Sequence, residues 1–172
     1  PDDLATLRRA VAEEQTNADV SVMTGGASVG ERDYARAAFE PLELIIDKVA
    51  MKPGKPVWVG RSRGRLVVGL PGNPTAAMVT ARLFLAPLLA ALSGRSPTEA
   101  WVWRYAPVGQ PFAPTGEREV FVRAHMDAAG AHPCGSQDSS AQAVMGEWTL
   151  LARRGPDAPG LPTGSQVQVL AL

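Results

Sequence analysis

Apolar residues in the first 95 positions alternate between short runs, which are typical of strands, and longer stretches with helical spacing. Asp2 or Asp3 can cap a first helix that ends near Gln15. The elements predicted after it are a strand at 19–23, a helix at 31–40, strands at 57–59 and 66–68, and a helix from Pro74 to Leu92 that Pro87 should kink. Strands that alternate with helices predict an α/β domain with a parallel or mixed sheet.

The pattern changes near residue 96. Beyond it, short alternating segments stand between Gly/Pro turns, and no apolar pattern of helix length occurs. The predicted strands are 101–103, 120–126, 148–151 and 166–172. We therefore predict two domains, an α/β domain at 1–95 and a small all-β domain, a barrel or a sandwich, at 96–172.

Composition and charge narrow the possible functions. The 172 residues are 45% hydrophobic, which is enough for the core of one medium domain or two small ones. The formal net charge is zero and no basic block occurs, so the sequence gives no support for nucleic-acid binding. The single cysteine, Cys134, excludes an internal disulfide and fits a reducing compartment. No apolar run reaches the roughly 18 residues of a membrane span, so we expect a soluble, cytoplasmic protein.

Loops rich in glycine follow two of the predicted strands. Such loops bring backbone N–H groups close to phosphate oxygens, and a helix N-terminus adds partial positive charge. Gly25, Gly26 and Gly30 fit this description, as do Gly72 and Asn73 at the start of the later helix. Neither loop has a Walker or G-x-G-x-x-G sequence, and glycine count alone favours two ordinary tight turns equally well.

Three lysines lie in a segment that prolines hold rigid. Pro53 and Pro56 restrict the backbone around Lys52 and Lys55, and Lys48 precedes them in the same segment. These ammonium groups could neutralise a phosphate or another oxyanion. A solvated, charged turn is the alternative interpretation.

Other chemically capable residues are more ambiguous. Asp33 follows the first glycine loop and could hold Mg²⁺ or a lysine, or it could simply favour the helix dipole, and Asp2 has the same ambiguity. His125 and His132 lack metal-ligand spacing, and Cys134 has no evident base in the sequence.

Three motifs, in this order and spacing, resemble the MoeA family, the molybdopterin molybdenumtransferases, and the E domain of gephyrin. The motifs are TGGASVGERDY at 24–34, KVAMKPGKP at 48–56 and GLPGNP at 69–74. Together they cover roughly residues 2–94. The remaining half is similar to the family's C-terminal β-barrel domain through REVFVRA at 118–124 and QDSS at 137–140.

The resemblance implies an enzyme of molybdenum cofactor biosynthesis that inserts molybdate into adenylylated molybdopterin and releases AMP. It implies a three-layer α/β domain with a mostly parallel sheet, followed by a small all-β barrel. Asp2, Asp33 and Lys52 would be catalytic, and Asp33 would also bind Mg²⁺. Contacts to the pterin substrate or to molybdate would come from Thr24, Gly25, Gly26, Ser28, Gly30, Lys48, Lys55, Pro71, Gly72, Asn73, Pro74, Arg123 and Ser139.

The resemblance also implies a homodimer in the full-length protein, small-molecule substrates, and neither a nucleic acid nor a membrane as partner. Nothing in the chain corresponds to the family's N-terminal segment, so we expect a C-terminal portion that could bind pterin without being active. Three alternatives stay open. They are a molybdopterin adenylyltransferase, a CinA-like nucleotide hydrolase, and a scaffold or binding module like gephyrin.

Overall fold

The computed structural model describes residues 3–25, 34–137 and 146–172. Its strands are β1 Val20–Thr24, β2 Leu42–Asp47, β3 Met51–Lys52, β4 Trp58–Ser62, β5 Arg65–Leu70, β6 Arg104–Pro107, β7 Glu119–Asp127, β8 Gly130–Pro133, β9 Leu150–Arg154 and β10 Gln166–Ala171. Its α-helices are α1 Leu4–Asn17, α2 Tyr34–Ala38, α3 Pro74–Thr80 and α4 Ala86–Leu92. A π-helix covers Ala81–Leu85 and a 3₁₀-helix covers Pro97–Ala100.

The chain divides into two compact units. The first unit comprises Pro1–Val49 and Gly54–Thr80, and the second comprises Ala50–Pro53 and Ala81–Leu172. The predicted domain boundary near residue 96 remains a prediction.

The first unit contains a four-stranded sheet in the order β1-β5-β4-β2. Only β1 and β5 are parallel, whereas β5–β4 and β4–β2 are antiparallel. The prediction of a mostly parallel sheet is therefore wrong for the described residues. Arg63 and Gly64 have φ of 49° and 79°, and consecutive positive φ angles form the tight turn that joins β4 and β5 directly as an antiparallel hairpin.

The core of this unit forms where α1 and α2 pack on the sheet. Asp3 caps α1, as predicted, by accepting a hydrogen bond from the Thr6 backbone N–H at 2.8 Å. The ring of Phe39 meets Trp58 edge-on, with centroids 6.1 Å apart. Val67 and Val68 are both 0% exposed, and because successive strand residues point to opposite faces, both faces of β5 are covered.

The predicted long helix occurs as three consecutive segments, α3, the π-helix and α4. The π-helix directly precedes α4, whose first turn contains Pro87. Since proline lacks the N–H that would continue the α-helical ladder, the irregularity lies where the kink was predicted. By length and mean hydropathy (1.7) alone, Pro74–Leu92 could cross a membrane, a test that core helices of soluble proteins also pass.

The second unit contains a sheet in the order β3-β7-β9-β10-β6, with β8 paired to β7. Its core consists mainly of small and branched residues, among them Val108, Val122, Ala124, Ala152 and Val167. An isolated bridge joins Val108, just after β6, to Ala131 of β8.

One predicted strand in this unit is wrong. Residues 101–103 precede β6, and the N–H of Trp103 donates to the carbonyl oxygen of Trp101 at 2.8 Å, which closes a tight turn. The short strands β3 and β8 were not predicted, because two and four residues carry too little alternation to be seen.

Candidate functional site

The glycine loop and the GLPGNP loop begin at the same edge of the first sheet. Thr24 and Leu70 are register partners at the carboxyl ends of the parallel strands β1 and β5. The N–H of Gly25 donates to the carbonyl oxygen of Leu70 at 3.2 Å. A β-carbon on Gly72 would lie 3.1 Å from the Cα of Gly25, so the two backbones approach as closely as only glycine allows.

The second loop opens a helix in the predicted manner. Asn73 Oδ1 accepts a hydrogen bond from the N–H of Ala76 at 3.1 Å, and Pro74 is the first residue of α3. Pro71 is buried, whereas Gly72 is exposed. This edge therefore offers accessible backbone at a helix N-terminus, the feature that favours anions.

Several predicted residues lie outside the described residues. They are Asp2, Gly26, Ser28, Gly30, Asp33 and Ser139. Their roles stay predictions.

All three lysines of the chain fall within eight consecutive positions. The N–H of Lys48 donates to the carbonyl oxygen of Val57 at 3.2 Å, and the N–H of Val49 donates to the carbonyl oxygen of Lys55 at 3.0 Å. These bonds hold Lys48 and Lys55 on opposite sides of one loop in the first unit. Their side chains are exposed, as is that of Lys52, which belongs to β3 of the second unit.

The carboxylate beside this loop already has a cationic partner. Arg36 Nη2 lies 2.6 Å from Asp47 Oδ1, and the guanidinium also lies over the ring of Trp58 at 5.6 Å. The hydrogen bond from Arg36 lowers the pKa of Asp47 below its usual range. Asp47 is therefore anionic at neutral pH, with Arg36 as its main cationic partner and Lys48 as a weaker one, and local sequence patterns do not predict the pairing with Arg36.

A cavity of about 390 Å³ lies in the second unit. Lys52, Thr115, Arg118 and Gln137 are among the residues that line it, and Glu117 is the one carboxylate among the described residues of the lining. Two cationic side chains and neutral donors suit a bound oxyanion. Arg118 lines the same cavity as Lys52, a placement that the sequence alone did not predict.

Arg123 is only 1% exposed. Its Nη2 donates to the carbonyl oxygen of Ser136 at 2.8 Å, and its backbone is held by the side-chain amide of Gln137. The structure therefore places Arg123 beneath the start of the 137–140 motif rather than on an open surface.

His125 and His132 come together although their separation in sequence suggested no site. They are directly opposite on β7 and β8. The Asp127–Gly130 turn fixes that register. Recognition of that turn as a hairpin was the signal that could have revealed the pair.

Comparison with known proteins places this chain in a family. Residues 1–91 match the family model described as "Probable molybdopterin binding domain". Over 99% of the chain, 31% of residues are identical to the molybdopterin molybdenumtransferase of Bacillus subtilis strain 168. The chain belongs to the MoeA family.

Further relatives agree with this assignment. The molybdopterin molybdenumtransferase of Haemophilus influenzae is 40% identical over 55% of this chain and 24% of its own length. The crystal structure of a molybdopterin biosynthesis MoeA protein from Pyrococcus horikoshii superposes with a TM-score of 0.80 at 26% identity, covering 99% of this chain and 41% of that one. The chain also spans 41% of the Bacillus subtilis relative, so it corresponds to under half of that protein.

Proposed function

We propose that this chain supplies the pterin-binding and oxyanion-binding parts of a molybdopterin molybdenumtransferase. The reaction would insert molybdate into the dithiolene of adenylylated molybdopterin, with hydrolytic release of AMP. The observation that carries this proposal is the contact between Gly25 and Gly72, which joins two family motifs at one edge of the sheet. Relatives named for this activity support it.

In this proposal the two loops hold the phosphate region of the pterin substrate. Backbone N–H groups of a glycine loop at the carboxyl ends of parallel strands are a common phosphate-binding arrangement. The residues assigned to it are Thr24, Gly25, Gly26, Ser28, Gly30, Pro71, Gly72, Asn73 and Pro74.

The lysines would neutralise the oxyanions of the reaction. Molybdate and phosphate both carry negative oxygens, for which ammonium groups and backbone N–H groups are matched donors. Lys48 and Lys55 are assigned to substrate binding and Lys52 to the reacting oxyanion. Arg123 and Ser139 are assigned as further contacts, with buried Arg123 acting through the loop that it supports.

Acidic catalysis and Mg²⁺ depend on residues whose positions are outside the described part of the chain. Carboxylates are suitable Mg²⁺ ligands, and Asp33 is the residue assigned to that role, with Asp2 as a second acid. Within the described residues, no group of three clustered carboxylates occurs. We therefore derive no step of the reaction through Mg²⁺.

The finer architecture is also part of the proposal. We infer that the sheet of the second unit closes into a small barrel, because the bridge between Val108 and Ala131 links β6 to β8. The proposal also includes two domains, at 1–95 and 96–172, a homodimer of the full-length protein and a cytoplasmic location.

AMP release tests the activity. The chain is mixed with adenylylated molybdopterin, with and without molybdate, and AMP is measured by chromatography. Release that depends on molybdate and is lost in Lys52→Ala is the expected result. AMP release that is independent of molybdate, or formation of adenylylated product from ATP, would instead indicate a hydrolase or an adenylyltransferase.

A further inference from the structure

Both histidines of the chain lie side by side on the β7–β8 hairpin. The rings of His125 and His132 are stacked, with centroids 5.1 Å apart and planes inclined by 12°. Asp127 follows His125 by two residues and therefore lies on the same face of β7. Its Oδ1 lies 2.8 Å from Nε2 of His132.

The turn of the hairpin fixes the orientation of this carboxylate. Oδ1 of Asp127 accepts hydrogen bonds from the N–H groups of Ala129 at 2.7 Å and Gly130 at 3.2 Å, in addition to its contact with His132. Asp127 is exposed, and its Oδ2 has no hydrogen-bond partner among the described residues. The carboxylate therefore has one oxygen held by the turn and a second oxygen available to a ligand.

The rest of the second unit holds the imidazole rings in place. A β-carbon on Gly109 would overlap the ring of His132, so the backbone of Gly109 packs directly on that ring. On the other side, Sγ of Cys134 lies 3.5 Å from Nδ1 of His125. Cys134 is only 3% exposed, which excludes it from an open ligand position without rearrangement.

We propose that His125, Asp127 and His132 bind a divalent transition-metal ion of the zinc type. Their ligand atoms all lie within 4.8 Å of one another. Two ligand nitrogens of a tetrahedral zinc ion stand about 3.3 Å apart, so small side-chain rotations are sufficient. The ion takes the place of the direct contact between Asp127 and His132, and exposure of Asp127 leaves a fourth position accessible to solvent.

A ligand set of two imidazoles and one carboxylate favours transition-metal ions of the zinc type. Imidazole is a good ligand for zinc and its neighbours in the first transition row, whereas Mg²⁺ and Ca²⁺ favour oxygen ligands. The contrasting interpretation is an ion pair that closes a hairpin turn, with stacked rings that serve only packing. The two interpretations differ in whether imidazole and carboxylate are needed together.

Calorimetric titration with Zn²⁺ tests the site. The chain is used without a histidine tag and at one fixed pH near neutrality, because metal binding displaces protons from its ligands. We expect one ion per chain, with affinity reduced at least about tenfold in His125→Gln, His132→Gln and Asp127→Asn, since loss of a supporting group near a metal already costs about that much. The Asn side chain retains Oδ1, so Asp127→Asn keeps the turn contacts.

Asp157→Asn is the matched control. Asp157 also lies in an exposed turn, and its positive φ of 50° tolerates asparagine, but it has no histidine beside it. Unchanged Zn²⁺ affinity is expected for it. Equal weakening in this variant and in Asp127→Asn would indicate binding to surface carboxylates and would overturn the proposal.

Co²⁺ provides a second measurement that reports the ligands directly. Its visible absorption bands are expected to appear in the wild type and to be lost in both histidine variants. A sulfur-to-cobalt charge-transfer band would show Cys134 as a ligand and would contradict the three-residue site. Failure of both ions to bind the wild type would also overturn it.

Discussion

Gly72 lies so close to Gly25 that a β-carbon added to Gly72 would stand 3.1 Å from the Cα of Gly25. These glycines belong to two motifs separated by almost fifty positions in the sequence. The parallel pairing of β1 with β5 brings both motifs to one edge of the sheet. The close approach of the two loops therefore depends on the absence of a side chain at Gly72.

Gly72→Ala should separate the two loops and weaken binding of adenylylated molybdopterin. Because a methyl group at this distance forces one backbone to move, we expect a loss of about 1–3 kcal/mol, the cost of overpacking. Fluorescence titration of the pterin measures it. Gly155→Ala is the control, since a β-carbon there meets nothing within 4 Å. Wild-type pterin affinity in Gly72→Ala would contradict this assignment of the loops.

Lys52→Ala should reduce molybdate affinity by roughly 1–3 kcal/mol, the scale of a lost charged hydrogen bond. The effect should decrease at high ionic strength, because Lys52 is exposed and salt screens its charge. Equilibrium dialysis with molybdate measures the affinity. Arg61→Ala removes another exposed cation, outside the motifs, and should leave it unchanged. An equal loss in both variants would indicate only a general effect of charge.

Gln137→Ala should destabilise the second unit by about 1–3 kcal/mol, because buried backbone groups would lose their partners. The Gln137 side chain accepts from the N–H of Arg123 at 2.9 Å and donates to the carbonyl oxygens of Arg123 at 3.0 Å and Cys134 at 2.6 Å. Urea unfolding gives the free energy. Gln110→Ala removes an exposed amide and is the control. Similar unfolding free energies for the two variants would show that the Gln137 contacts contribute nothing.

Asp47→Asn should remove a pH-dependent part of the stability. Arg36 lowers the pKa of Asp47 below its ordinary value of 3.8, so the ion pair contributes fully above pH 3.8 and is lost as pH falls through the lowered pKa. The difference in Tm between wild type and Asp47→Asn should therefore be largest near neutral pH and shrink in strong acid. A Tm difference that stays constant with pH would show that the substitution acts through packing near Trp58 and not through loss of the Asp47 charge.

Local signals in the sequence were sufficient for several elements. Asp3 and Asn73 cap helices because a side-chain oxygen beside free N–H groups is a local, short-range effect. Arg63 and Gly64 form the turn of the β4–β5 hairpin for the same kind of reason. In each of these cases the determining contacts lie within a few residues.

Local sequence patterns do not specify which distant strands pair with each other. The pairing of β3 with β7 joins Met51 to Glu119, and nothing within either segment specifies the other. The register that places His125 opposite His132 is likewise decided by strand pairing and not by spacing. The resemblance to the MoeA family pointed to both loops, but the contact between Gly25 and Gly72 follows from the parallel pairing of β1 with β5.

Protection of the lysines by substrate is the most direct test of the central claim, because all three lysines of the chain are assigned to substrate or oxyanion binding in the proposal. The chain is labelled with an amine-reactive reagent, with and without adenylylated molybdopterin and molybdate, and each lysine is quantified by mass spectrometry. We predict that Lys48, Lys52 and Lys55 are protected together in the wild type and much less in Gly72→Ala. Substrate that binds without protecting any lysine would contradict the account.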